Sequence, residues 1–153
     1  MASFSFNALR QTRNNILRLV SGFTTEQLNT QPEGFNNNLA WHLGHVVVTQ
    51  QLLCYRNAGL DTQISEDWIN RFRKGTHTEG VISEEELSAI KKEMEALVEV
   101  TEKDYAEGKF TSYDRYETSY GLILNTPEEA FAFNDVHEAL HLGYMMAQRR
   151  LLT

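Results

Sequence analysis

Apolar side chains recur every three to four residues through four separate stretches, and that periodicity leaves little room for anything except packed helices. In residues 6–20, Phe6, Leu9, Ile16, Leu17 and Val20 share one side, with Arg10, Asn14 and Arg18 on the other. Gly22 breaks this run, and Thr24-Thr25-Glu26-Gln27 opens a short helical turn with a capping box. The polar run 31–38 is a loop ending in good N-cap residues, so a second long helix is expected over 39–56, stopped by Gly59. Ser83-Glu84-Glu85-Glu86 caps a third helix, in which Leu87, Ile90, Met94, Leu97, Thr101 and Tyr105 form the stripe to be buried. Thr126-Pro127-Glu128-Glu129 starts a fourth that runs to the C-terminus, with a cap, proline at the first helical position and carboxylates in the first turn. The two prolines, Pro32 and Pro127, both fall where helices separate. Segments 60–82 and 107–125 are mixed, and the second, with Tyr113, Tyr116 and Tyr120, has room for some extended structure. The expectation is an all-α four-helix bundle forming a single domain over residues 1–153.

Composition narrows the function classes. The chain has 14 Lys+Arg against 21 Asp+Glu, a net charge of −7. That balance argues against tracking of nucleic-acid phosphates or an anionic membrane surface, which needs a basic stripe. A lone cysteine, Cys54, excludes an internal disulfide framework and suits a reducing compartment. No basic start with a long apolar run resembles a signal peptide, and no apolar stretch approaches the roughly 18 residues of a membrane span. A cytoplasmic protein is expected.

The histidines carry the most information. His137 and His141 lie four apart on the fourth helix and project from one face, a turn apart. At about 100° per residue, Phe133, Leu140, Tyr144 and Leu151 fall on one flank of that pair, and Met145 and Leu152 on the other. The pair is therefore expected at the middle of the buried stripe, with Glu138 rotated outward by about 100° from His137 into solvent. Core imidazoles are costly unless each nitrogen is paired, and a shared ion resolves this, since neutral imidazole is a good ligand for zinc, nickel or iron. On the second helix Trp41, His45, Val48 and Leu52 share a stripe centred near His45, the better inward ligand. His42 is displaced from it by about 60° and reads as a supporting or structural residue. His77 lies in a polar loop and is expected to be exposed.

Three stretches, taken in order, resemble the DinB / YfiT-like superfamily. Asn38-Leu39-Ala40-Trp41-His42-Leu43-Gly44-His45-Val46 resembles its first metal-ligand helix. His137-Glu138-Ala139-Leu140-His141-Leu142-Gly143-Tyr144 resembles its second signature, an HxxxH followed by a small residue. Residues 68–75, with Trp68, Asn70, Arg71 and Gly75, resemble the loop between its second and third helices. The resemblance covers nearly the whole chain. It implies a four-helix bundle with an unusual connection order, a homodimer, and a zinc or nickel ion held by three histidines. Carried across, the ligands fall on His45, His137 and His141, in agreement with the face analysis; His42 matches no ligand position.

Three histidine ligands leave a metal with an open position, the arrangement of a reactive site. Bound water there becomes a nucleophile near neutral pH, and a bound thiol ionises. The family's characterised members favour the thiol, using the metal to activate a low-molecular-weight thiol such as mycothiol, bacillithiol or glutathione. The resemblance thus implies a metal-dependent thiol S-transferase whose protein supplies no nucleophile. The alternatives are a non-catalytic metal-binding bundle with a structural or sensing role, a metal-dependent hydrolase using metal-bound water, and a plain bundle with paired core histidines. Cys54 falls about 180° from the His45 stripe and is expected to be a small buried residue. No Ser or Cys has the context of a catalytic triad, and no glycine-rich phosphate loop is present. Arg71, Arg73 and Lys74 form a small basic cluster, expected to be ordinary exposed loop charge. The tyrosines from Tyr113 to Tyr120 would form part of a dimer interface or cover the open end of the bundle.

Overall fold

In a computed structural model, described for residues 2–152, the chain is all-α with one small hairpin. The helices are α1 (Ala2–Val20), α2 (Thr25–Asn29), α3 (Leu39–Gln50), α4 (Glu66–Phe72), α5 (Glu84–Ala106) and α6 (Pro127–Gln148). The capping residues act as the sequence suggests. Thr24 and Gln27 close a reciprocal capping box. The side chains of Asn38, Ser83 and Thr126 accept from backbone N–H groups of Trp41, Glu86 and Glu129. Asn38 also donates to the carbonyl of Asn29 at 2.8 Å, tying the start of α3 to the end of α2.

The long helices α1 and α3 each pack against both α5 and α6. From Leu39 to Val48 every residue of α3 is buried, so it is the central helix rather than an amphipathic one. Beyond Gln50 it widens into a π-helical turn, Gln51–Tyr55, then tightens into a 3₁₀ turn, Arg56–Ala58, and stops at Gly59 with φ of 71°. Such a π-turn shifts the side chains that follow it relative to those before it, and is frequent at functional sites. Residues 68–72, expected in a loop, instead form most of α4, capped by Ser65. Within 107–125 the extended structure is a two-residue antiparallel ladder, Tyr116 opposite Leu124 and Glu117 opposite Ile123. An aromatic cluster of Phe6, Tyr105, Phe110 and Phe131 lies beside it, with ring centroids 5.2–6.4 Å apart.

A buried ion pair pins the interior. Arg13 donates to both carboxylate oxygens of Glu138, at 3.0 and 2.7 Å, with both side chains essentially inaccessible. Arg13 also donates to the Met94 carbonyl at 3.0 Å, and Asn134 donates to Glu138 at 2.9 Å. This corrects the expectation for α6. Its buried stripe runs through Ala130, Phe131, Asn134, Glu138, Met145 and Gln148, rotated by about 70° from His137. Glu138 points inward, and His137 and His141 sit at the margin of the stripe. The outer face of α6 remains uncovered, with Val136, Leu140 and Tyr144 exposed, as is Leu151 in the 3₁₀ turn that follows it.

Candidate metal centre

The marginal position of His137 and His141 is what lets them meet α3 at a cavity. His45 Nε2 lies 3.3 Å from His137 Nε2, and His137 Nε2 lies 3.1 Å from His141 Nε2. One ligating atom from each of the three falls within 4.8 Å of the others, so the cluster could hold a metal ion. His45 is buried and its ring is fixed on several sides. Its Nδ1 lies 2.7 Å from the carbonyl oxygen of Phe72, the last residue of α4. Nδ1–H must donate to that oxygen, which leaves Nε2 with a free lone pair facing the cluster. The indole of Trp41 stacks on the ring with centroids 4.4 Å apart at 14°, and Trp41 is itself held by an Nε1–H bond to Thr76 Oγ1 at 3.1 Å. Thr49 Oγ1 lies 3.3 Å from His45 Nε2.

Burial makes these imidazoles neutral, the form that ligates. Desolvation, followed by the charges of neighbouring rings, lowers His137 to about 3 and His141 to about 2. Desolvation lowers His45 to about 4 against the opposing bond to Phe72. Hydrogen bonding among the rings leaves His137 Nδ1 and His42 Nε2 buried without partners among the described residues. The convergence of three Nε2 atoms, with a lone pair on His45 Nε2 fixed by the Nδ1–H bond to Phe72, is a donor set that fits a borderline cation.

The sequence profile of the DinB superfamily matches residues 8–145. The chain belongs to the DinB superfamily. A conserved protein from Enterococcus faecalis, of known crystal structure, shares the fold at a TM-score of 0.71 and 15% identity, over 99% of this chain and 96% of that one. No curated protein matches the chain.

Within this DinB-superfamily fold His42 has a role that sequence reasoning did not resolve. Its Nδ1 is 2.9 Å from His141 Nδ1, and it is buried, 4% exposed. When His141 presents the Nε2 lone pair to the cluster, its Nδ1–H donates to His42 Nδ1. His42 then holds His141 as the Phe72 carbonyl holds His45. The available signal was the unbroken apolar character of α3, which buries both of its histidines. Phe72 carried no signal, because its backbone oxygen is the active atom. His77 is exposed, as expected. Cys54 is buried, and desolvation pushes its thiol far up, which removes it as a nucleophile. Arg71 is engaged by Glu86 and Asp67, so the basic cluster reduces to the exposed Arg73 and Lys74.

The three histidines open onto a cavity of about 480 Å³. Leu52 and Leu53 of the π-turn, Arg56 of the 3₁₀ turn after it, Lys74 two residues past α4, Thr118 and Ser119 between the strands of the hairpin, and Phe133 of α6 contribute to its wall.

Proposed function

We propose that the four long helices form a bundle whose His45, His137 and His141 hold a divalent transition ion, zinc or nickel, and that the protein is a thiol S-transferase. The observation that carries this reading is the convergence of three neutral imidazole nitrogens at the wall of a cavity large enough for a small organic molecule. A closed structural site would surround its ion with protein ligands, whereas three ligands beside a cavity leave a position for an exogenous one. A bound ion would supply Lewis acidity, lowering the pKa of a coordinated thiol so that it reacts as thiolate. The chain's own groups do the rest. Phe72, Trp41 and His42 fix the rings of His45 and His141, and Leu52, Leu53 and Phe133 exclude water from one side of the cavity.

The proposed assembly is a homodimer. Between Ala132 and Ala147 the outer face of α6 presents Ala132, Val136, Ala139, Leu140, Gly143 and Ala147, all exposed and none charged. In a chain with a net charge of −7 such a face is suited to a second copy of itself. This supports α6, rather than the tyrosine segment, as the interface. Among the described residues no helix is long and apolar enough to cross a membrane.

Thiol chemistry is tested by loading the protein with cobalt(II) as a spectroscopic probe of the site and adding 2-mercaptoethanol. New sulfur-to-metal charge-transfer absorption is the expected result. An unchanged spectrum at saturating thiol contradicts the transferase reading.

A further inference from the structure

The cavity beside the histidines has a charge character opposite to that of the protein. Asp and Glu outnumber Lys and Arg by 21 to 14 in the chain, yet no carboxylate lines the cavity, while Arg56 and Lys74 both do. Among the described residues Lys74 makes no ion pair. Arg56 contacts Glu66 through Nη2 alone, at 2.6 Å, leaving Nε and Nη1 available. The neighbouring Arg71, by contrast, pairs with two carboxylates, Glu86 and Asp67, and does not line this cavity.

Both cations have a fixed relation to the histidines. Lys74 follows Phe72 by two residues, and the Phe72 carbonyl is the one bonded to His45. The lysine backbone therefore starts within about 7 Å of that bond, a distance set by chain reach. Arg56 lies further along the helical run that carries His45, roughly 16 Å on by helical rise, and its long side chain can fold back over the cavity. Asn57, Thr118 and Ser119 add neutral hydrogen-bonding groups to the same wall.

We infer that the cavity takes an anion-bearing thiol, its carboxylate received by Lys74 and Arg56 while its sulfur faces the three histidines. This rests on the thiol reading above and narrows it, because it selects thiols with carboxylates at several bonds' remove from sulfur over neutral thiols of similar size. Arginine supplies a planar donor fork for a carboxylate, and lysine a mobile point charge.

The test compares glutathione with its diethyl ester, which keeps the thiol and amine but lacks both carboxylate charges. Binding to cobalt-loaded protein is followed by calorimetry and by the cobalt spectrum together. Glutathione is expected to bind at least tenfold more tightly than the ester, and Lys74→Gln/Arg56→Gln is expected to abolish that preference while retaining the cobalt spectrum. Equal binding of both thiols, each perturbing cobalt, overturns the anion site and leaves the thiol reading intact. Carboxylate-dependent binding with no spectral change keeps the anion site and overturns thiol coordination. The absence of both heat and a spectral change with either compound overturns both.

Discussion

His45 Nδ1 lies 2.7 Å from the carbonyl oxygen of Phe72, while the ring of the same phenylalanine covers the backbone of Gly44. A Cβ at position 44 would fall 2.5 Å from Phe72 Cγ. One residue at the end of α4 thus clamps two consecutive residues of α3, by its ring on Gly44 and by its carbonyl on His45. The glycine is required for the close approach that brings the carbonyl within reach.

Gly44→Ala is therefore expected to be damaging although alanine is the better helix former. Phe72 is buried, so the ring has nowhere easy to go, and overpacking of this kind costs about 1–3 kcal/mol. Thermal denaturation should register that loss, and zinc affinity should fall with it as Phe72 moves away from His45. Unchanged stability and affinity would show that the clamp is not what orients His45.

His42 is expected to matter through His141. His42→Leu removes the partner of His141 Nδ1 and should weaken zinc binding about 10- to 100-fold, the usual effect of losing such a hydrogen bond. His42→Asn offers a side-chain oxygen near the position of Nδ1 and should restore most of the affinity. A competitive chelator titration separates the two variants. Equal loss in both would make His42 a packing residue only.

The contrast between these residues and the rest of the site shows where the sequence was readable. The four long helices, their caps and the approach of His45 to His137 and His141 followed from periodicity and spacing, whereas α4 and the change of α3 into a π-turn after Gln50 did not. Glu138 did not, because its burial depends on Arg13, far away in sequence on α1. The hint was Arg13 itself, which lies on the same helical face as Leu9 and Ile16. Once Glu138 is inside, the buried stripe of α6 rotates and the histidines become marginal. The outer apolar face confused the projection further, since side chains such as Leu140 and Leu151 read as core. The Phe72 carbonyl and the cavity beyond it arise from where α4 docks, which no local pattern specifies.

Acid is expected to destabilise the metal-free protein. Burial holds His42 and His45 at about 4, His137 at about 3 and His141 at about 2, against an ordinary value of 6.5. Below pH 6.5 the unfolded chain takes up protons that the folded chain refuses, so stability is full above that pH and lost as pH falls. Asp135 opposes this: burial raises its carboxyl to about 6, so its contribution is greatest at low pH and lost as pH rises through 6. Four histidines outweigh one aspartate, giving a slope of at most ~4 kcal/mol per pH unit near pH 5. Urea denaturation in the presence of chelator, from pH 7 to 5, measures it; a flat profile would contradict the burial of neutral rings.

The outer face of α6 makes a separate prediction. A side chain at Gly143 meets nothing within 4 Å in the protomer, so Gly143→Glu has room there. Buried at a two-fold interface, the added charge would be repelled by its own copy. Sedimentation is expected to give a dimer for the natural protein and a monomer of undiminished helicity for the variant. A dimer in both would move the interface elsewhere.

The most direct measurement is metal stoichiometry. The purified protein, dialysed separately against zinc and nickel and then freed of excess ion, is compared with His137→Ala/His141→Ala by elemental analysis, with circular dichroism to verify folding. The account predicts roughly one ion per chain of the natural protein, since one cluster of three ligands is present, and none in the folded variant. Failure of both metals to bind stoichiometrically, or equal metal in the folded variant, would contradict it.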